Sequence, residues 1–166
     1  MKARKIISIL LLIILPLLLI VGTPEPAIAA IREQQEAPGQ MLYQSRHTLR
    51  DNTGSSWQLI LFKRIKNGEV ENVNLRLVGF PDAAEVAHPQ PLKITTSRGT
   101  VFEGIDEFAE KAPAPNVGQY NLTEILPQLS KTEGLELNVA IAGDKNCAIA
   151  VPIPVVLEWK EIAGNV

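Results

Sequence analysis

His47 and His88 are the two histidines of this 166-residue chain, and Cys147 is its one cysteine. His47 could join Ser56 and Asp51 in a Ser-His-Asp set, where the imidazole takes the serine proton and the carboxylate orients the ring. No Gly-x-Ser-x-Gly elbow surrounds Ser56, and that turn is what exposes such a nucleophile. His47 therefore reads as a partly exposed sheet histidine. Neither histidine has another ligand at zinc-site spacing. Glu103, Asp106, Glu107 and Glu110 could supply paired carboxylates, but glycoside hydrolysis needs its two acids on opposite sides of a bond. Here they crowd one short segment and read as a solvated face. Cys147 lies in Cys147-Ala148-Ile149-Ala150-Val151. It reads as a small buried residue, because a reactive thiol needs a base or helix N-terminus beside it. No catalytic, cofactor-binding or metal-ligating residue is assigned, and the expectation is a protein that is not an enzyme and carries no cofactor.

Charge and loops suggest binding instead. Arg46, Arg50, Lys63, Arg64, Lys66 and Arg76 fall within three successive strand-like segments. They make either an ordinary charged sheet face or a docking patch for an acidic partner. Phe80–Pro91 and Lys111–Tyr120 are proline-containing stretches that read as loops, because proline cannot donate to a strand ladder. Phe80, Pro89, Pro113, Pro115, Val117 and Tyr120 put apolar surface on these loops, where binding residues concentrate. They are the expected partner-binding residues, with Phe80 and Tyr120 as aromatic anchors. The other expectation is that they fold back and cap the ends of the domain.

The elements that would position these groups follow a leader. Lys2, Arg4 and Lys5 precede an apolar run, Ile6–Val21, broken only by Ser8 and Pro16. Gly22-Thr23-Pro24-Glu25-Pro26 ends it, and Ala27-Ile28-Ala29 supplies the small residues of a cleavage site. This order is that of a signal peptide over residues 1–29. Uncut, the run of about 16 residues would be a short membrane anchor, near the lower limit of roughly 17–25. Without it the chain has 13 basic and 17 acidic side chains, a net of −4. Such a balance does not suit nucleic acid.

Residues 30–40 are polar and read as a flexible mature N-terminus. One β domain is expected over 41–162, with a tail at 163–166. Met41–Leu49, Ser56–Ile65 and Val70–Gly79 alternate as strands, joined by turns at Asp51-Asn52-Thr53-Gly54 and at Lys66-Asn67-Gly68-Glu69. Val73, Leu75 and Leu77 should face inward, with Asn72, Asn74 and Arg76 outward. Leu92–Ser97 and Thr100–Glu103 form another hairpin. Ile105–Glu110 reads as one helical turn and Asn121–Leu126 as a short capped helix. Leu135–Ile141 and Cys147–Val151 pair across a turn. Val155–Ile162 reads as a last strand, with Val155, Leu157 and Trp159 on one face. The expected fold is all-β, an antiparallel β-sandwich or small open barrel of about seven or eight short strands, with one or two short helical turns.

Gln40-Met41-Leu42-Tyr43-Gln44-Ser45-Arg46, Asn74-Leu75-Arg76-Leu77-Val78-Gly79-Phe80-Pro81, His88-Pro89-Gln90-Pro91-Leu92, Ala112–Tyr120 and Val155-Val156-Leu157-Glu158-Trp159 resemble a family of small exported cyanobacterial proteins with no assigned function. The resemblance spans Gln40 to Ile162. It implies the periplasm or thylakoid lumen, and in the lumen a photosynthetic membrane complex as the partner class. It transfers no catalytic residue. The resulting expectation is an accessory or assembly factor that docks on a membrane complex, touching the membrane peripherally or not at all after cleavage. The alternative is a small-ligand or lipid-binding module using the gap between sheets, and a hydrolase comes third. If the leader is read correctly, mass spectrometry of the natural protein will find an N-terminus at Ala30 or within a residue of it. Recovery of only a full-length, membrane-extracted species would establish the anchor instead.

Overall fold

A computed structural model describes residues 31–81 and 84–164; the leader lies outside these. The strands are β1 (Arg32–Ala37), β2 (Gln40–Arg50), β3 (Ser56–Lys66), β4 (Glu69–Gly79), β5 (Leu92–Thr96), β6 (Val101–Asp106), β7 (Val117–Asn121), β8 (Leu135–Ile141) and β9 (Lys145–Val151). A 3₁₀ turn, η1 (Leu126–Gln128), precedes β8, and helix α1 (Ile153–Gly164) closes the chain. All strands join one open antiparallel sheet in the order β1-β2-β3-β4-β7-β6-β5-β8-β9. The all-β class holds, with nine strands among the described residues where seven or eight were expected.

The β2–β3–β4 meander forms as its alternation dictates. Leu59 lies opposite Leu77, and Leu61 opposite Leu75. Asn67 and Gly68 have φ of 53° and 85°, the left-handed pair that a two-residue hairpin needs to match strand twist. After β4 the chain leaves its neighbour. Residues 80–81 and 84–91 lie at one end of the sheet, and the β5–β6 hairpin forms beyond. Residues 107–116 then return β7 to the edge of β4. Residues 122–134 recross the opposite end before β8, burying Leu122, Ile125, Leu126 and Leu129.

The sheet rolls until its second and last strands meet. Asp51 bridges Ile149, Asn52 N donates to Ala148 O at 2.9 Å, and Ala148 N donates to Asn52 Oδ1 at 3.1 Å. The rolled interior is one apolar cluster. It takes Trp57, Leu59 and Leu61 from β3, Val73, Leu75 and Leu77 from β4, Leu135, Leu137 and Val139 from β8, and Val155, Val156, Trp159 and Ile162 from α1.

Several elements differ from the sequence expectation. Residues 30–40 are not a loose tail as far as they are described. Arg32–Ala37 pairs with β2, and Ile31 packs on the core. Ile105 and Asp106 end a strand rather than start a helix. Asn121 makes an Asx turn, accepting from Thr123 N at 3.0 Å, and the helical turn comes later, at Leu126–Gln128. Asn74 faces outward yet is buried. The largest change is Val155–Ile162, which is helix and not strand. Its buried set, Val155, Val156, Trp159 and Ile162, follows helical spacing, and Leu157, which the strand phase would have buried, is 42% exposed. Pro154 lies in the first turn of α1, where its absent N–H and fixed φ are harmless. Ala163 and Gly164 of the expected tail belong to this helix.

Leu75 and Leu137 are fully buried in the shared core. Replacing either with alanine should lower unfolding free energy by about 2–5 kcal/mol, the usual loss for a buried leucine. Denaturant titration measures this. A change near about 0.5 kcal/mol, typical of surface sites, would mean the inward face is wrongly placed.

Candidate functional site

The two proline-containing stretches meet at one end of the roll, beside the β8–β9 hairpin. Backbone bonds lace them together. Gly79 N donates to Asn116 O at 2.9 Å, Asn116 Nδ2 to Gly79 O at 2.7 Å, and Val86 N to Pro115 O at 2.8 Å. On the other side Ala87 N donates to Ala140 O at 2.9 Å and Ala142 N to Glu85 O at 2.8 Å. His88 adds a side-chain tie, with Nδ1 2.7 Å from Asp106 Oδ2 and Nε2 3.2 Å from Val117 O. Asp106 also accepts from Gln90 N at 3.2 Å and Phe108 N at 2.9 Å. These bonds brace residues 85–87 and 115–116 against their neighbours, although prolines deny the two stretches a place in the sheet.

Between them lies a cleft of about 700 Å³. Pro81, Ala84, Pro115 and Ile141 give it apolar walls, and Glu85, Asn116 and Lys145 give it polar and charged ones. Phe80 adjoins this lining and is 67% exposed.

The structure divides the six expected partner-binding residues. Phe80, Pro89, Pro113 and Pro115 are exposed, and Pro115 lines the cleft. Val117 and Tyr120 are not on a loop: they belong to β7, between β4 and β6, and are 8% and 1% exposed. Tyr120 lies over Gly118 on the inward face. A Cβ at Gly118 would come 2.7 Å from the Tyr120 hydroxyl, so glycine there makes room for the ring. Burial pushes the Tyr120 phenol well above its ordinary range, with the Asp106 charge adding to the effect. Lys111–Tyr120 is thus loop only as far as Asn116. Sequence reasoning missed Glu85, Asn116, Ile141 and Lys145, because β8–β9 joins the two loops only through long-range pairing.

The hypothetical Ser56–His47–Asp51 set is not assembled. His47 Nε2 lies 3.0 Å from Glu158 Oε2 of α1. Asp51 accepts from Thr53 N and Oγ1, Ser55 N and Trp57 Nε1 at 2.7 to 2.9 Å. Those bonds shape the β2–β3 turn and hold the Asp51 carboxyl below its ordinary range against the opposing effect of burial.

Cys147 is buried, and desolvation raises its thiol to about 11. At pH 8 about one thiol in a thousand is then thiolate, the form that reacts. An aromatic disulfide reagent at pH 8 should label Cys147 only after unfolding, at the rate of global opening. Rapid stoichiometric labelling of the folded protein would show it accessible.

No curated protein and no solved structure matches the chain. A family model described as a protein of unknown function, DUF3122, matches residues 29–162, over most of the chain, and the chain therefore belongs to that family.

Proposed function

We propose that this protein works after export as a non-catalytic docking module, an accessory or assembly factor whose loop end seats on a membrane complex in the thylakoid lumen or periplasm of a cyanobacterium. The observation that carries the reading is Phe80, 67% exposed beside a cleft whose loops are tied at both flanks. A preformed surface loses little conformational entropy on binding. A single aromatic ring inserted into a partner can dominate the binding energy. The basic, apolar and small-residue order of residues 1–29 supports export.

A second reading draws on the cleft itself. Its volume of about 700 Å³ falls in the range of small-ligand sites, about 300–1,000 Å³, with apolar walls and a few polar groups. The space enclosed by the rolled sheet is packed with core side chains, so a ligand would sit at this end and not between layers.

Phe80→Ala should leave stability within about 0.5 kcal/mol, as a surface change does, and should abolish association with membranes. Tyr120→Ala should instead cost about 3–5 kcal/mol, as truncation of a buried aromatic does. A photo-crosslinking residue at position 80 should capture a membrane protein, and one at exposed Ile153 should not. Unchanged association of Phe80→Ala, or equal crosslinking from both positions, would overturn docking at this end. Protection of the cleft by a co-purified small molecule, with no crosslink from position 80, would establish the ligand-binding reading.

A further inference from the structure

The pleat sorts the six bases of the first three long strands. Lys63 faces inward and is fully buried. Lys66 lies at the β3–β4 turn, 4.0 Å from Glu71, and Arg50 donates to Gly54 O at 2.7 Å. The other three share the outer face. Arg46 lies opposite Ile60, Ile60 opposite Arg76, and Arg76 opposite Gln119, in one row across four strands. Arg64 lies on β3 two residues beyond Phe62, on the same side.

Phe62 is 5% exposed and sits between two guanidinium groups. Arg64 Cζ is 5.4 Å and Arg76 Cζ 5.6 Å from its ring centroid. Phe108 approaches Arg76 to 5.8 Å. Gln119 Oε1 accepts from Arg76 Nε at 3.0 Å and from Nη2 at 2.6 Å. Arg76 is therefore held in place by two rings and an amide, at half-exposed depth. Among the described residues neither Arg76 nor Arg46 has a carboxylate partner. A cation fixed this firmly and left uncompensated is unfavourable for folding alone, since partial burial weakens its hydration and Arg64 repels it.

Arg64 shows which ligand the face accepts. It donates to Glu36 of β1 in a two-pronged fork, Nε to Oε2 at 2.8 Å and Nη2 to Oε1 at 3.2 Å. We propose that the outer face of β2–β4 binds an acidic polypeptide segment, whose carboxylates engage Arg46 and Arg76 on either side of Ile60, at Arg76 through the Nη N–H groups that Gln119 does not take. Two strand spacings separate Arg46 from Arg76, about 10 Å. In a polyproline II segment, with three residues per turn at about 3.1 Å each, that is close to the distance between acids three residues apart on one face. Charge complementarity fits a polypeptide better than nucleic acid: three arginines, one already neutralised by Glu36, are too few to hold a polyphosphate backbone. This surface does not include Phe80 or the cleft, so it stands or falls separately from the proposed function.

The test is fluorescence anisotropy with a labelled proline-rich peptide of polyproline II conformation carrying glutamates three residues apart, against a glutamine version of the same peptide. The glutamate peptide should bind at low salt and release at about 1 M salt, where the Debye length is about 3 Å. Arg46→Gln and Arg76→Gln should each weaken binding about five- to tenfold, the scale of losing a charge-assisted pair. Lys93→Gln, which removes an exposed charge elsewhere, should change it less than about twofold. Arg46 stands outside the two rings, so its variant keeps the test decisive if Arg76→Gln unfolds, which circular dichroism would reveal. Equal binding of both peptides, equal loss with Lys93→Gln, or no binding of the glutamate peptide would each overturn the proposal. Binding of inorganic phosphate with the same arginine dependence, undisplaced by the peptide, would overturn the carboxylate assignment.

Discussion

An open sheet of nine strands with one apolar face must cover that face, and this one rolls up around it and adds one helix to fill the interior. Everything else in this molecule follows from that constraint. The seam where the roll meets itself is held by few bonds, those of Asp51 and Asn52 with Ile149 and Ala148. Asp51 ties the seam to the interior as well, since its other oxygen accepts from Trp57 Nε1 at 2.9 Å. A rolled sheet of this size encloses more space than its own inward side chains fill. Helix α1 supplies the remainder, placing Val156, Trp159 and Ile162 in the core at full burial.

That packing brings polar groups with it. Ser45 and Lys63 face inward from β2 and β3, where the alternation would otherwise put apolar residues. Lys63 Nζ lies 3.5 Å from Ala163 O, and His47 meets Glu158. Ser45 Oγ, Glu158 Oε1 and Trp159 Nε1 are buried without a hydrogen-bond partner among the described residues. Unsatisfied groups of this kind cost about 1–3 kcal/mol each. Lys160 offsets part of that, donating to the carbonyls of Leu126, Pro127 and Leu129 and so fastening α1 to the crossing that carries η1.

The two crossings answer the same constraint at opposite ends and differ in character. Residues 122–134 cover their end with buried leucines and an isoleucine. Residues 80–81 and 84–91 cover theirs mainly with backbone hydrogen bonds, burying Val86 and leaving Phe80 and Pro81 outside. One end is therefore closed by core, and the other by a braced loop with an apolar rim. The difference separates a purely structural cap from a surface available for contact.

Local residue patterns were enough to specify the β2–β3–β4 meander, its turns, the inward phase of Val73, Leu75 and Leu77, and the β8–β9 hairpin. These rest on local physics: side chains alternate with period two along a strand, and Asn-Gly turns state their own geometry. Phe80 and the proline loops were legible for the same reason. The structure alone decided α1 and β7. Ile153–Gly164 is a short segment rich in apolar and β-branched residues, with Pro152 before it and Pro154 in its first turn, and in so short a segment periodicity does not separate a strand from a buried helix. The helix forms because the roll has an interior to fill. Val117–Asn121 carries a glycine and a glutamine and shows no alternation of its own; it is a strand because β4 and β6 leave a place for one between them. The cleft and the outer arginine row were beyond reach for a related reason. Each joins residues far apart in the chain, through pairings that no local pattern encodes.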